Sequence, residues 1–253
     1  MGKIFVIMGP SCSGKDTLFN EVNNYYNGKL KPIVLYTTRP MREGEIEGKT
    51  YYFIDDKTLN EMKENNEIIE SRSYNTVAGI WTYATTSRSI DLENNDYLTI
   101  NTLEGFKSLK EYYGEDVIVP LYIQVDEDVR LRRAINREKK QIREKLKKQG
   151  IEPPKESNKE KYTIDESDPK IQEMRRRIEA DSIDFSIEKR IEAGIPISNV
   201  FENNADPADI GTWVPLIALE MVRDQIVEVI EQELKKDLYK KLVYKIDNKK
   251  KIV

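Results

Sequence analysis

The stretch best suited to chemistry is Gly9-Pro10-Ser11-Cys12-Ser13-Gly14-Lys15. It fits the first seven positions of G-x-x-x-x-G-K-[ST], a loop that holds phosphate. Glycine lets the backbone turn tightly, so that successive N–H groups point at one anion. A helix starting near Asp16 adds its positive end, and Lys15 brings a mobile charge suited to β- and γ-phosphates. A chance Gly-rich turn could carry the same letters. It would not need the apolar, strand-like run Lys3–Met8 before it or the helical stretch Asp16–Tyr26 after it, and both are present. Residues 9–17 are therefore expected to bind ATP, with Lys15 catalytic. One position departs from the pattern: Asp16 stands where Ser or Thr normally serves Mg²⁺, and Thr17 follows. Asp16 is either a metal ligand or an acid at a helix start, and the metal is expected at Asp16 or Thr17. Cys12 reads as a small filler of the loop, with a redox role as the sharper alternative.

A second informative stretch is Thr37-Thr38-Arg39-Pro40-Met41-Arg42-Glu43-Gly44-Glu45, followed by Gly48 and Tyr51-Tyr52-Phe53. Two arginines three apart on a turn can clamp a phosphate monoester, and a nearby tyrosine can donate its hydroxyl to the same group. Composition alone would also allow a charged surface loop.

The elements that must position these residues alternate. Strand candidates are Lys3–Met8, Ile33–Thr38, Tyr51–Ile54, the pair Ile68–Ser71 and Trp81–Thr85, Tyr97–Asn101, Leu121–Val125 and Asn199–Glu202. Helices are expected over Asp16–Tyr26, Leu59–Asn66, Leu103–Tyr113, Asp126–Arg137 and Ile171–Phe185. This alternation predicts an α/β fold built on a parallel sheet. Residues Glu138–Lys170 hold 10 basic and 8 acidic residues and a Pro153–Pro154 pair, which reads as a solvated helix followed by a loose loop. From Pro207 to about Ile246 the residues Leu219, Val222, Ile226, Ile230, Leu234, Leu238 and Leu242 recur three or four apart. They serve either packing on the core or a coiled-coil homodimer contact.

Composition narrows the function classes. The 253 residues carry 41 basic and 45 acidic side chains, a net charge of −4, which does not favour a general nucleic-acid binder. One cysteine precludes an intrachain disulfide and suits a reducing cytoplasm. Without histidine, His-based triads, His metal sites and His general bases are excluded. No apolar run is long enough for a membrane span, and the opening MGKIFVIMGP is too short an apolar run for a signal peptide.

On the motifs above the chain resembles the guanylate kinase family, whose members carry a glycine-rich phosphate loop, then T-T-R-x-x-R-x-G-E, then G-x-x-Y-x-F. Residues 37–53 match without a gap, and the likeness covers about residues 3–137 and 171–204. It implies a P-loop NTPase core over 1–36, 97–137 and 171–206 with lid arms, and a nucleoside-monophosphate-binding subdomain over 37–96. The remainder is a charged lid insertion over 138–170 and a helical extension over 207–253. It implies that Arg39, Arg42 and Tyr51 bind the acceptor phosphate and that Glu70, in Asn65-Asn66-Glu67-Ile68-Ile69-Glu70, reads guanine N1–H and its amino group. By the same likeness Tyr83 touches the phosphate, Thr85 the base, Arg137 and Arg177 close over ATP, and Asn203 lies near adenine.

The implied reaction is ATP + GMP (or dGMP) → ADP + GDP (or dGDP), with Mg²⁺. Arg39, Arg42, Arg137 and Arg177 join Lys15 as catalytic residues. The departures are specific. The serine that precedes the family's T-T-R falls here on Leu35 or Tyr36. The guanine-reading aspartate of I-D-x-Q-G falls on Asn101 or Thr102 within Ile100-Asn101-Thr102-Leu103-Glu104-Gly105, and neither is anionic. Residues 74–80 include an insertion beside the base pocket. The phosphate machinery therefore looks complete and the guanine-reading machinery half present. A different monophosphate kinase or a ribose 1,5-bisphosphate kinase, whose loop a Gly-Lys-Asp also resembles, is the first alternative. A non-catalytic guanylate-kinase-like binding module is the second, although such modules tend to lose the ATP side.

Overall fold

The computed structural model describes residues 1–42, 44–76, 79–152, 167, 169–205 and 214–250. It divides into two compact units, one of Met1–Met8, Asp16–Leu121 and Asp224–Val253, the other of Gly9–Lys15 and Tyr122–Arg223. No helix of the described residues is long and apolar enough to cross a membrane.

In the first unit β1 (Ile4–Met8) is wholly buried. A continuous Ile-Phe-Val-Ile-Met run with no polar alternation is what a strand covered on both faces requires. β1 pairs in parallel with β7 (Asp96–Ile100), and β7 in parallel with β2 (Leu30–Pro32). The order of these strands is β2-β7-β1-β8, where β8 is Ile118–Gln124. The strand expected over Ile33–Thr38 is divided: β2 ends at Pro32, whose ring nitrogen has no hydrogen to give a ladder, and β3 is only Tyr36–Thr37.

A second sheet of order β4-β3-β6-β5 carries β4 (Tyr52–Phe53), β5 (Ile68–Thr76) and β6 (Gly79–Thr86). The β5–β6 hairpin is longer at both strands than expected. The extra residues pair Tyr74 with Trp81 and Thr76 with Gly79, so the insertion lengthens the hairpin instead of forming a separate element. Ser73 and Thr82 share a hydroxyl hydrogen bond of 2.8 Å across it. Residues 77 and 78 at its tip lie outside the described residues.

Three helices complete this unit's first half: α1 (Lys15–Tyr26), whose first residue belongs to the phosphate loop, α2 (Asp56–Glu64) and α3 (Leu103–Tyr113). Helix α2 starts earlier than its apolar pattern suggests because Asp55 caps it, accepting from the Thr58 N–H at 2.7 Å.

In the second unit the end of β8 pairs in parallel with β9 (Val200–Glu202). Helix α4 runs from Glu127 to Lys148, so the solvated part of the 138–170 stretch is helix through residue 148; residues 153–166 and 168 lie outside the described residues. Helix α5 (Pro169–Asp184) packs on it through Leu131, Ile135, Ile171 and Ile178, with Met174 beside them. A short α6 (Ile187–Glu192) follows, capped by Ser186.

The last helix, α7 (Val214–Lys250), starts after residues 206–213, which are outside the described set, as are the side chains from 241 on, including Leu242. Its residues Val222, Ile226, Val227 and Ile230 are buried while Leu238 is exposed. In the first unit Tyr26 Oη donates to the Val227 carbonyl at 3.5 Å, and burial pushes that hydroxyl's pKa up. Four buried aliphatic side chains of this size contribute on the order of 1.5–3 kcal/mol each. The apolar stripe thus serves core packing over residues 222–230.

Candidate active site

The second unit assembles the phosphate loop. Gly14 takes φ 87°, and a Cβ there would lie 2.7 Å from Asn203 Nδ2, so conformation and close approach both demand glycine. Cys12 also sits in the left-handed region at φ 63°, an uncommon conformation for a residue with a side chain. Asn203, buried at the end of β9, donates to the Ser13 carbonyl at 2.8 Å. It therefore braces the loop. Ser13 Oγ is buried with no hydrogen-bond partner among the described residues. Among the described residues Lys15 Nζ reaches only the Pro10 carbonyl, at 3.4 Å.

Helix α4 aims its cations at this loop by its period. Arg130, Arg133 and Arg137 are three and four residues apart and share a face. Arg133 donates to the carbonyls of Cys12 (3.2 Å), Ser13 (3.4 Å), Asn203 (2.7 Å) and Ala205 (2.8 Å). Arg137 Nη2 lies 3.2 Å from Cys12 Sγ. Arg137 and Arg177 line one cavity of about 250 Å³ with Ser11, Cys12 and Met174, so the two arginines named from the sequence meet the loop here.

Asp181, one turn beyond Arg177 on α5, accepts from the Ser11 N–H at 2.7 Å. Behind it Arg130 is 2% exposed and donates to Ser182 Oγ at 2.6 Å. Arg133, Asp181 and Arg130 were absent from the sequence expectation. Their spacing to Arg137 and Arg177 was the available signal.

Asp16 and Thr17 are exposed at the second and third positions of α1. Among the described residues no three His, Cys, Asp or Glu side chains gather as a metal site. A carboxylate and a hydroxyl, both oxygen donors open to solvent, fit an ion that Mg²⁺-type sites share with substrate phosphates.

The first unit gathers the other set. Arg39 is 4% exposed. Its Nε donates to Tyr83 Oη at 3.2 Å, its Nη1 to Glu45 Oε2 at 2.7 Å and to the Pro40 carbonyl at 2.9 Å, and its Nη2 pairs with Glu45 Oε1. Its guanidinium lies 5.0 Å from the Tyr51 ring centroid. Glu45 also accepts from the Arg42 backbone N–H at 2.7 Å, which ties the turn together. Arg42 is exposed and its guanidinium lies 5.7 Å from the Trp81 ring centroid. The sequence thus named both arginines but missed Glu45, which fixes the first.

Hydrogen bonds from Arg39 hold the Glu45 carboxyl down, from its ordinary 4.5 to about 2. A depressed carboxyl contributes stability that is fully present above pH 4.5 and is lost as pH falls through about 2. In urea unfolding, the advantage of the parent protein over Glu45→Gln should be constant down to about pH 5 and vanish over that window. An advantage unchanged at pH 2 would contradict the assignment. Burial raises the Tyr51 hydroxyl's pKa, keeping it a neutral donor.

Next to this cluster Glu70, its side chain 7% exposed, accepts from Thr85 Oγ1 at 2.8 Å and Asn101 Nδ2 at 3.4 Å. Of the two residues left open at the aspartate's place, only Asn101 joins Glu70. Thr102 instead caps α3, accepting from the Gly105 N–H at 3.2 Å. Gly105 leaves room for Asn101: a Cβ there would lie 2.1 Å from Asn101 Oδ1. Leu35, at one of the positions where the family carries serine, lines a cavity of about 430 Å³ with Tyr51, Arg72, Tyr74, Trp81 and Tyr83. That volume is in the range of small-molecule sites. Tyr36 instead stacks on Tyr52, ring centroids 4.7 Å apart.

Comparison with known proteins bears on the family and the fold. The guanylate kinase family model matches residues 1–180. The chain is 44% identical over 69 residues to the guanylate kinase of Nitrobacter winogradskyi, covering 27% of this chain and 31% of that one. It is 31% identical over 137 residues to the guanylate kinase of Malacoplasma penetrans, covering 54% and 58%. The chain thus spans about a third to three fifths of the length of these curated relatives. The crystal structure of guanylate kinase from Anaplasma phagocytophilum superposes with a TM-score of 0.50 over 92% of this chain and 86% of that one; at 18% identity this speaks for the fold. With a family model spanning residues 1–180 of 253 and both of the family's motif clusters in place, the chain belongs to the guanylate kinase family.

Proposed function

We propose that this protein transfers the γ-phosphoryl group of ATP to GMP or dGMP. The observation that carries the acceptor is the buried Glu70 carboxylate, held by Thr85 and Asn101, in the same unit as the aromatic-lined cavity and the Arg39–Tyr51–Tyr83 cluster. A carboxylate so placed accepts from the N1–H and amino group of guanine, while Arg39, Arg42 and Tyr51 hold the acceptor phosphate. The donor reading rests on the phosphate loop with Lys15, Arg137 and Arg177.

An oxygen of the acceptor phosphate attacks the γ-phosphorus. A new P–O bond forms and the bond to the β-phosphate's bridging oxygen breaks, releasing ADP. The acceptor oxygen is already ionised near neutral pH, so no general base is required and the absence of histidine is no obstacle. Catalysis is alignment and charge: Lys15, Arg39, Arg42, Arg137 and Arg177 neutralise the transferring group. Asp16 and Thr17 are the residues that would hold Mg²⁺, which when bound neutralises phosphate charge.

Coupled ADP release is expected with GMP and dGMP and to be at least about tenfold weaker with AMP, UMP and dTMP, the order of discrimination one lost polar contact gives. Release with none of them from folded protein defeats the proposal. Preference for a different monophosphate, or for ribose 1,5-bisphosphate, moves the acceptor elsewhere.

A further inference from the structure

The base pocket contains a cation that the family pattern does not account for. Arg72 lies two residues after Glu70 on β5, so both side chains project from one face of the strand. Its Nη2 donates to Glu70 Oε1 at 3.3 Å and to Asn101 Oδ1 at 3.2 Å. Its Nε lies 3.3 Å from Glu70 Oε2, so the guanidinium and the carboxylate form an ion pair. The same side chain lines the 430 Å³ cavity beside Leu35, Tyr74 and Trp81. Arg72 thus brings to the cavity wall a guanidinium ion-paired to Glu70 and bonded to a neutral carboxamide, with its Nη1 outside these contacts. A second carboxylate at position 101 would draw the guanidinium into a closed double ion pair; Asn101 holds it by a single hydrogen bond.

We infer that Arg72 is a specificity-determining residue of the acceptor pocket, donating to O6 and N7 of a guanine ring whose N1–H and amino hydrogens go to Glu70. The inference rests on the acceptor proposed above. The two-pronged guanidinium matches the paired acceptors of guanine's O6/N7 edge. Adenine offers N7 there but sets an amino group where O6 would be, donor against donor. Arg72 thus supplies from the adjoining O6/N7 edge of the base the selectivity that a neutral Asn101 gives up.

Steady-state kinetics with GMP, 7-deaza-GMP (no N7 acceptor) and IMP (no 2-amino group) test this in the parent protein, Arg72→Met and Arg72→Lys. The parent should show a KM for 7-deaza-GMP roughly 5- to 20-fold above that for GMP, the order expected for half of a bidentate contact. Arg72→Met should raise the KM for GMP roughly 10- to 100-fold and abolish the 7-deaza penalty. It should leave the IMP penalty and the KM for ATP in place. If Arg72→Met fails to fold, Arg72→Lys, which keeps the charge beside Glu70 but loses the fork, should show a reduced 7-deaza penalty on its own. A merely structural arginine would raise every KM together. GMP turnover with an unchanged GMP to 7-deaza-GMP ratio in the variants overturns the role of Arg72 alone. No GMP turnover by the parent protein overturns the acceptor reading and this inference with it.

Discussion

Lys15→Ala should lower kcat on the order of 10²- to 10³-fold, the loss seen when one preorganised charge stabiliser is removed from a transition state. The ammonium has only one weak partner in the loop, the Pro10 carbonyl at 3.4 Å, so it is held ready and not consumed by the fold. Its removal should therefore leave thermal stability within about 0.5 kcal/mol, as for partly exposed positions without a structural role. Lys15→Arg should not rescue, because a planar fork does not replace a compact point charge inside a loop this tight. The measurement is single-turnover ADP formation with saturating GMP, alongside a thermal melt. A kcat within tenfold of the parent would mean that the loop binds phosphate without acting on it.

Arg42→Ala should raise the KM for the acceptor roughly 10- to 100-fold, the worth of one charge-assisted hydrogen bond to phosphate, with the KM for ATP nearly unchanged. Arg42 is the cleaner of the two clamp arginines to test. Arg39 is buried in its pairing with Glu45 and in its bond to Tyr83, so its truncation would leave a carboxylate without its partner and blur folding with binding. Arg42 is exposed, and its side chain overlies Trp81 with its charge near Glu45, so its truncation leaves no buried group unpaired. An unchanged acceptor KM in Arg42→Ala would remove it from the clamp.

What could be read ahead of the structure follows from locality. The phosphate loop is contiguous, and its flanking strand and helix are coded by the same residues that make it, so β1, the loop and α1 were all legible. The T-T-R-x-x-R stretch was legible as a motif, but Glu45 within it was not singled out, because a carboxylate in a charged loop carries no directional signature until the backbone turns it onto Arg39. The choice between Asn101 and Thr102 hung on a one-residue gap. A usable signal was present: with a helix expected from Leu103, Thr102 falls at the cap position that threonine favours, which leaves Asn101 to face Glu70. Arg72 and Asp181 were the hardest. Each looks like an ordinary charged surface position, and contacts distant in sequence, at Asn101 and at Ser11, help to give them a place.

The left-handed turn at Cys12 has a practical consequence. That residue is the chain's sole sulfhydryl, and it sits in the phosphate loop beside Arg137. A thiol-selective alkylating reagent has one address on this molecule. The mass added to the intact chain therefore counts, without an engineered tag, how often that loop is open to solvent and how fully a bound nucleotide closes it.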